Sequence, residues 1–140
     1  MRKIILNKCY GGFELSKKAY ELYAKKKGLE LYTYTQNFEN GKFKYEYSDS
    51  EDLFTTYFTK DFGNDVEISN EDYEKYSLYL RDEAREDKTL IEVVEELGEE
   101  ASGRFGELKI VEIPENAFYL IDEYDGIETL YYSKSEILQK

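Results

Sequence analysis

Two dipeptides, Asn40-Gly41 and Asp125-Gly126, each stand between two runs of strand-forming residues. Asn-Gly and Asp-Gly accept the positive φ angles that a two-residue hairpin turn demands, and such a turn leaves one pairing register. Residues 29–38 then pair with 42–47, which sets Glu39 opposite Lys42, Phe38 opposite Phe43 and Tyr34 opposite Tyr47. Residues 118–124 pair in the same way with 127–132 and bring Glu123 opposite Glu128. Aromatic and opposite-charge pairs support the first hairpin, whereas two facing carboxylates oppose the second. Solvation at the hairpin tip or a divalent cation would relieve that repulsion. The spacing is not that of an EF-hand, and no metal site is assigned.

Around the hairpins, residues 3–8 read as a strand that runs through Gly11-Gly12 into a helix. Ser16 is a good N-cap for it, and Leu15 can pack on Tyr20. Ala19, Tyr20, Leu22 and Tyr23 form its apolar stripe, Lys25, Lys26 and Lys27 fall in its last turn, and Gly28 is placed to end it. Residues 53–59 form a further candidate strand, Ser69 caps a helical turn through Lys75, and residues 78–80 form a short strand ending at Arg81. Asp87 or Thr89 caps a second helix, in which Leu90, Val94, Leu97 and Ala101 recur on one face. Gly98 weakens this helix and Gly103 closes it. Residues 107–113 form a strand stopped by Pro114, the single proline, and residues 133–140 form a frayed helical turn. The expected fold is α+β with α/β-like features: a mixed β-sheet, two main helices packed on it, and two β-hairpins. At 140 residues the chain is read as one domain, 1–140.

Charge and missing residue types narrow the chemistry. The formal net charge is −12, which disfavours direct binding to a nucleic-acid backbone. The chain has no histidine, so Ser-His-Asp and Cys-His catalysis and His-ligated zinc are excluded. One cysteine allows no internal disulfide and fits a reducing cytoplasm. No apolar run reaches the ~18 residues that span a membrane, so no membrane partner is expected. Fifteen tyrosines offer flat rings with polar tips, suited to interfaces and base stacking as well as to strands.

The strand–Gly-Gly–helix turn directs backbone N–H groups at one spot, which favours an anion. Glu14 inside the turn would repel a phosphate unless it points away. Arginines are few: Arg2, Arg81, Arg85 and Arg104. Arg81 follows a short apolar run, the place where open α/β sheets put ligand contacts, and Arg104 follows a helix terminus. Either can grip a phosphate with parallel hydrogen bonds, or pair with Asp82, Glu83 or Asp87. Cys9 sits beside the turn and reads as a small buried residue. The candidate ligand-binding residues are Asn7, Tyr10, Gly11, Gly12, Phe13, Arg81, Arg104 and Tyr124. They include no catalytic residue and call for no cofactor.

The stretches NKCYGGFELS (7–16), LIEVVEELGEEASGRFGELKIVEIPE (90–115) and IDEYDGIE (121–128) resemble a family of small proteins carried by bacteriophages and prophages. Residues 36–70 match it poorly and read as a variable, insertion-like hairpin region. The resemblance implies a viral protein acting in the host bacterial cytoplasm, where small accessory proteins counter host defence. Joined to the residues, it suggests a binder that sequesters a nucleotide-derived immune signal, with a pocket that a homo-oligomer could complete. The alternative is an acidic inhibitor that blocks a host defence protein, such as a nucleic-acid-binding effector. A small carboxylate-based enzyme acting on a nucleotide ranks third.

Overall fold

The computed structural model describes residues 1–52 and 54–133. Its elements run β1 (Arg2–Asn7), α1 (Lys17–Lys27), β2 (Tyr32–Glu39), β3 (Lys42–Tyr47), β4 (Thr55–Phe58), α2 (Asn70–Tyr76), α3 (Lys88–Leu97), β5 (Leu108–Ile113), β6 (Phe118–Tyr124) and β7 (Ile127–Ser133). Short 3-10 turns at Asp82–Ala84 and Gly98–Ala101 flank α3. The fold is α+β, with helices packed on small sheets.

Both hairpins form in the registers that their turns dictate. Phe38 faces Phe43 and Tyr34 faces Tyr47 across β2 and β3, and Glu123 faces Glu128 across β6 and β7. Asn40 and Gly41 take φ of 50° and 77°, and Asp125 and Gly126 take 53° and 94°, so both turns are left-handed at both central residues.

The single mixed sheet is corrected. The strands form three separate sheets, β1–β5, β3–β2–β4 and β6–β7, and every ladder is antiparallel. Residues 78–80 form no strand. The Leu78 N–H donates to the Tyr57 carbonyl at 2.8 Å and the Leu80 N–H to the Tyr20 hydroxyl at 3.1 Å, so these donors are taken by unrelated partners instead of one ladder. The open parallel-sheet argument for the position of Arg81 therefore falls. The α-helix capped by Asp87, which accepts from the Leu90 N–H at 3.0 Å, stops at Leu97. Gly98 turns the chain at φ 58°, ending the α-helix where the sequence suggested only a weak point, and Ala101 is buried from the 3-10 turn. Leu53 and residues 134–140, to which a strand start and a frayed helical turn were assigned, lie outside the described residues.

The chain forms two compact units, one of Met1–Tyr23 with the residues from Leu80 on, the other of Ala24–Tyr79. In the first, β1 is buried over Ile4, Ile5, Leu6 and Asn7. Ile4 and Leu6 join Ile113 and Ala117 in a core cluster on which Tyr119, Ile121 and Leu130 pack. Ile5 faces the other way, and α3 packs against β1 and β5 with Leu90, Ile91, Val93 and Val94 buried. The Ser16 Oγ caps α1 by accepting from the Ala19 N–H at 3.2 Å and donates to the Glu100 carbonyl at 2.5 Å.

The second unit has an aromatic core. Tyr34, Tyr45 and Phe58 are buried and meet edge to face, with Tyr34 and Phe58 centroids 5.4 Å apart. The Tyr34 hydroxyl accepts from the Phe62 N–H at 2.9 Å and donates to the Gly63 carbonyl at 3.1 Å, so burial leaves it satisfied. Ser69 caps α2 by accepting from the Asp72 N–H.

In the first unit the Tyr23 hydroxyl donates to Asp87 Oδ2 at 2.9 Å. Burial, and then this bond, push the phenol up to about 12. An unfolded tyrosine ionises near ~10, so above that pH the unfolded chain loses its proton first. Stability should hold up to pH ~10 and fall between ~10 and ~12. Tyr23→Phe should flatten that fall in urea-unfolding series run across this range.

Candidate functional site

A polar knot at the end of β1 organises the first unit. Leu6 faces the core cluster, so Asn7 faces away from it, and Asn7 is nonetheless 0% exposed. Its Nδ2 donates to the Cys9 carbonyl at 2.8 Å and to the Gly126 carbonyl at 2.6 Å, and its Oδ1 accepts from the Glu107 N–H at 2.8 Å. One amide side chain thus ties the glycine loop, the β6–β7 turn and the approach to β5.

The Asn7 N–H donates to Glu128 Oε1 at 2.9 Å. Glu128 also receives both Nη atoms of Arg85, Nη1 to Oε1 at 3.0 Å and Nη2 to Oε2 at 2.9 Å. The side chains of Arg85 and Glu128 are 11% and 8% exposed. Arg85 Nη1 further donates to the Ile5 carbonyl at 3.0 Å, and Nε donates to the Asp82 carbonyl at 3.0 Å. The guanidinium lies over the Phe13 ring, 5.5 Å from its centroid. Fork-to-fork geometry of this kind is the strongest ion pairing a protein makes.

The facing glutamates are resolved by this arrangement. Glu128 turns inward and is neutralised by Arg85, while Glu123 Oε1 accepts from the Gly126 N–H at 2.8 Å. The Arg85 guanidinium takes the place of a divalent cation or a solvated tip at Glu128, and no metal-ligating cluster occurs among the described residues. Next along the chain, Glu86 accepts from Arg2 Nε at 2.7 Å and from the Tyr119 hydroxyl at 2.6 Å. The Arg2 bond, above all, holds its carboxyl below the ordinary glutamate value.

The glycine loop is tight for a steric reason. Gly11 takes φ +124°, and a Cβ there would stand 2.3 Å from the Phe105 carbonyl oxygen. A Cβ on Gly126 would stand 2.6 Å from the Gly11 nitrogen. Three backbone segments therefore abut with no room for a side chain. The Gly11 N–H reaches the Asp125 carbonyl at a long 3.4 Å, and the Gly12 N–H makes no hydrogen bond with any described residue.

Beside the loop opens a cleft of about 630 Å³. Its lining residues Gly12, Phe13, Ile121, Arg85 and Glu128 are half-buried or buried, and Gly11, Arg81, Asp82 and Glu123 are exposed. Of the residues singled out in the sequence, Gly11, Gly12, Phe13 and Arg81 line the cleft together, and Asn7 lies in the knot that supports it. Tyr10, Tyr124 and Arg104 are exposed and do not line it, Tyr124 being 78% exposed. Cys9 lines a separate hollow with Val94, Ser102 and Leu108.

Sequence reasoning missed Arg85 as the partner of Glu128. The signal was present in the predicted facing of Glu123 and Glu128. A carboxylate forced inward by register needs a cation, and this chain has only four arginines to supply a guanidinium. Chemically, the residues that line the cleft carry backbone amides, guanidinium groups, an aromatic ring and carboxylates. Both Glu128 oxygens are held by Arg85, so Glu128 is a support and not a proton shuttle.

Asn7→Asp tests the knot at constant shape. The two carbonyls that now accept from Nδ2 would face a carboxylate in a buried site. The variant should lose about 3 kcal/mol in urea unfolding at pH 7. Part of that loss should return as the pH is lowered and the new carboxyl protonates, a recovery that Asn7→Ala should not show.

Against known proteins, no family model, no curated protein and no solved structure matches this chain.

Proposed function

We propose that the cleft binds a nucleotide-like phosphate ester, and that the protein acts by sequestering a nucleotide-derived host immune signal as a phage-encoded counter-defence protein. One observation carries the reading: Gly12, Phe13 and Arg81 line the same cavity of about 630 Å³. Ligand pockets run from about 300 to 1,000 Å³ and pair apolar walls with a few placed polar groups. An unsatisfied amide and a guanidinium suit a phosphate, and an aromatic wall suits a base or sugar face. A binder needs no histidine and no metal. The setting, the host bacterial cytoplasm, rests on the resemblance to phage proteins, and no helix among the described residues is long and apolar enough to cross a membrane.

A second reading, the acidic inhibitor of a host defence protein, draws on a different feature. Tyr10, Phe105 and Tyr124 are exposed on segments next to the abutting backbones of Gly11, Phe105 and Gly126. Exposed aromatic residues on adjoining segments suit a protein interface.

Calorimetry against cyclic dinucleotides and ADP-ribose derivatives tests the first reading. At least one should bind, and Arg81→Ala should weaken it about tenfold or more, the loss of one charge-assisted contact. No heat with any of them removes the sequestration reading. Tight, salt-sensitive binding to a host defence protein, lost in a Tyr124→Ala variant, would then establish the second.

A further inference from the structure

We propose that the outer edge of β5 docks an extended, basic segment of a partner protein, which adds to the sheet as a further strand and lays a cationic side chain in the hollow that Glu99 lines. The proposal stands whether or not the cleft binds a phosphate ester. It starts from where the backbone groups of β5 point. In an antiparallel pair, residues alternate between those that bond across the ladder and those whose N–H and C=O point away from it. The Ile5 N–H donates to the Arg85 carbonyl at 2.9 Å and the Asn7 N–H to Glu128, so both point away from β5. Their partners in register, Ile110 and Leu108, therefore point away from β1, and Glu112 follows at the same period. The Leu108 N–H is taken by Ser102 Oγ at 2.9 Å. The outward N–H and C=O groups of Ile110 and Glu112 have no partner among the described residues, where β5 pairs with β1 alone. Two residues of this edge are thus free to pair with another chain, the arrangement on which strand addition is built.

The hollow and its charge decide what fits. It has a volume of about 560 Å³, and its lining includes Leu108 and Ile110 of β5, Val94 of α3, and two acidic residues, Glu99 and Glu107. Glu107 Oε1 stands 3.7 Å from Lys109 Nζ, whereas the Glu99 carboxylate has no partner among the described residues. Lysine and arginine join an apolar stem to a charged head, which matches apolar residues beside a carboxylate. Ile110 is a lining residue, and alternate side chains of an added strand would share its face of the sheet. A second copy of this chain would bring its own Glu112 and a net charge of −12 to the edge, so charge favours a basic partner over self-pairing.

The test is fluorescence anisotropy on the whole chain at low ionic strength, with a labelled Lys-Thr-Lys-Val-Arg-Thr-Lys peptide and a control in which glutamate replaces each cation. The basic peptide should bind at least about tenfold more tightly than the acidic one. Two further basic peptides, N-methylated at the odd or at the even positions, carry equal charge and differ only in which amides can pair. One of them should lose at least about tenfold in affinity and the other should keep it. Glu112→Pro removes an N–H that β1 does not use and should weaken the basic peptide about tenfold, whereas Glu112→Ala keeps the N–H and should weaken it far less. Glu99→Gln should weaken it about threefold or more. Thermal melts check that the variants fold. Equal binding of the basic and acidic peptides, or of the two N-methylated ones, overturns the proposal. So does a dimer in ultracentrifugation that Glu112→Pro dissociates, which would give the edge to a second copy.

Discussion

The buried pairing of Arg85 with Glu128 is the interaction on which the rest of the first unit depends. Taking two charges out of water is expensive, and mutual attraction repays it only with good geometry and with the remaining lone pairs and protons satisfied. Here the guanidinium makes two bonds to the carboxylate, one to the Ile5 carbonyl and one to the Asp82 carbonyl, and the carboxylate takes a further bond from the Asn7 N–H. The pair therefore links β1, the segment before α3 and the β6–β7 hairpin, which the chain order holds far apart. Losing one partner alone would strand a buried charge at a cost of about 3–5 kcal/mol, a large share of the ~5–15 kcal/mol that keeps a domain folded.

The cleft follows from that linkage. The Asn7 side chain brings the Gly126 carbonyl and the Cys9 carbonyl to one point, and the glycines allow their backbones to close without side chains between them. Closing this seam leaves Gly12 lining the cavity and sets Phe13 under the Arg85 guanidinium. Residues of the knot and residues that line the cleft are thus neighbours in the same loops. The second unit solves its own burial problem by other means, with edge-on rings whose buried Tyr34 hydroxyl is satisfied by backbone groups.

Local chemistry was legible in the sequence wherever a single turn or cap decides the outcome. Asn40-Gly41 and Asp125-Gly126 set two registers residue by residue, and Ser16, Ser69 and Asp87 cap the three helices. Sheet assembly was not legible, because which strand edges meet depends on distant partners. Apolar content at 78–80 resembled a strand, yet the donors there go to Tyr57 and Tyr20. Gly98 was read as a weak point inside the helix with Gly103 as its end, and its φ of 58° ends the α-helix there instead. The glycine turn and Arg81 were singled out in the sequence because anion recognition uses a small set of groups, and the structure brings Gly11, Gly12, Phe13 and Arg81 to one cleft. Arg85 was counted among the four arginines and given no role, and its carboxylate partner lies 43 positions away.

The most direct measurement is a double-mutant cycle by urea unfolding on Arg85→Met, Glu128→Met and the pair together. If the ion pair organises the knot, each single variant loses far more stability than half of what the double variant loses, and the coupling reaches about 2 kcal/mol or more. Losses that simply add, to within about 0.5 kcal/mol, would mean that the two side chains act independently and that something else holds the cleft together.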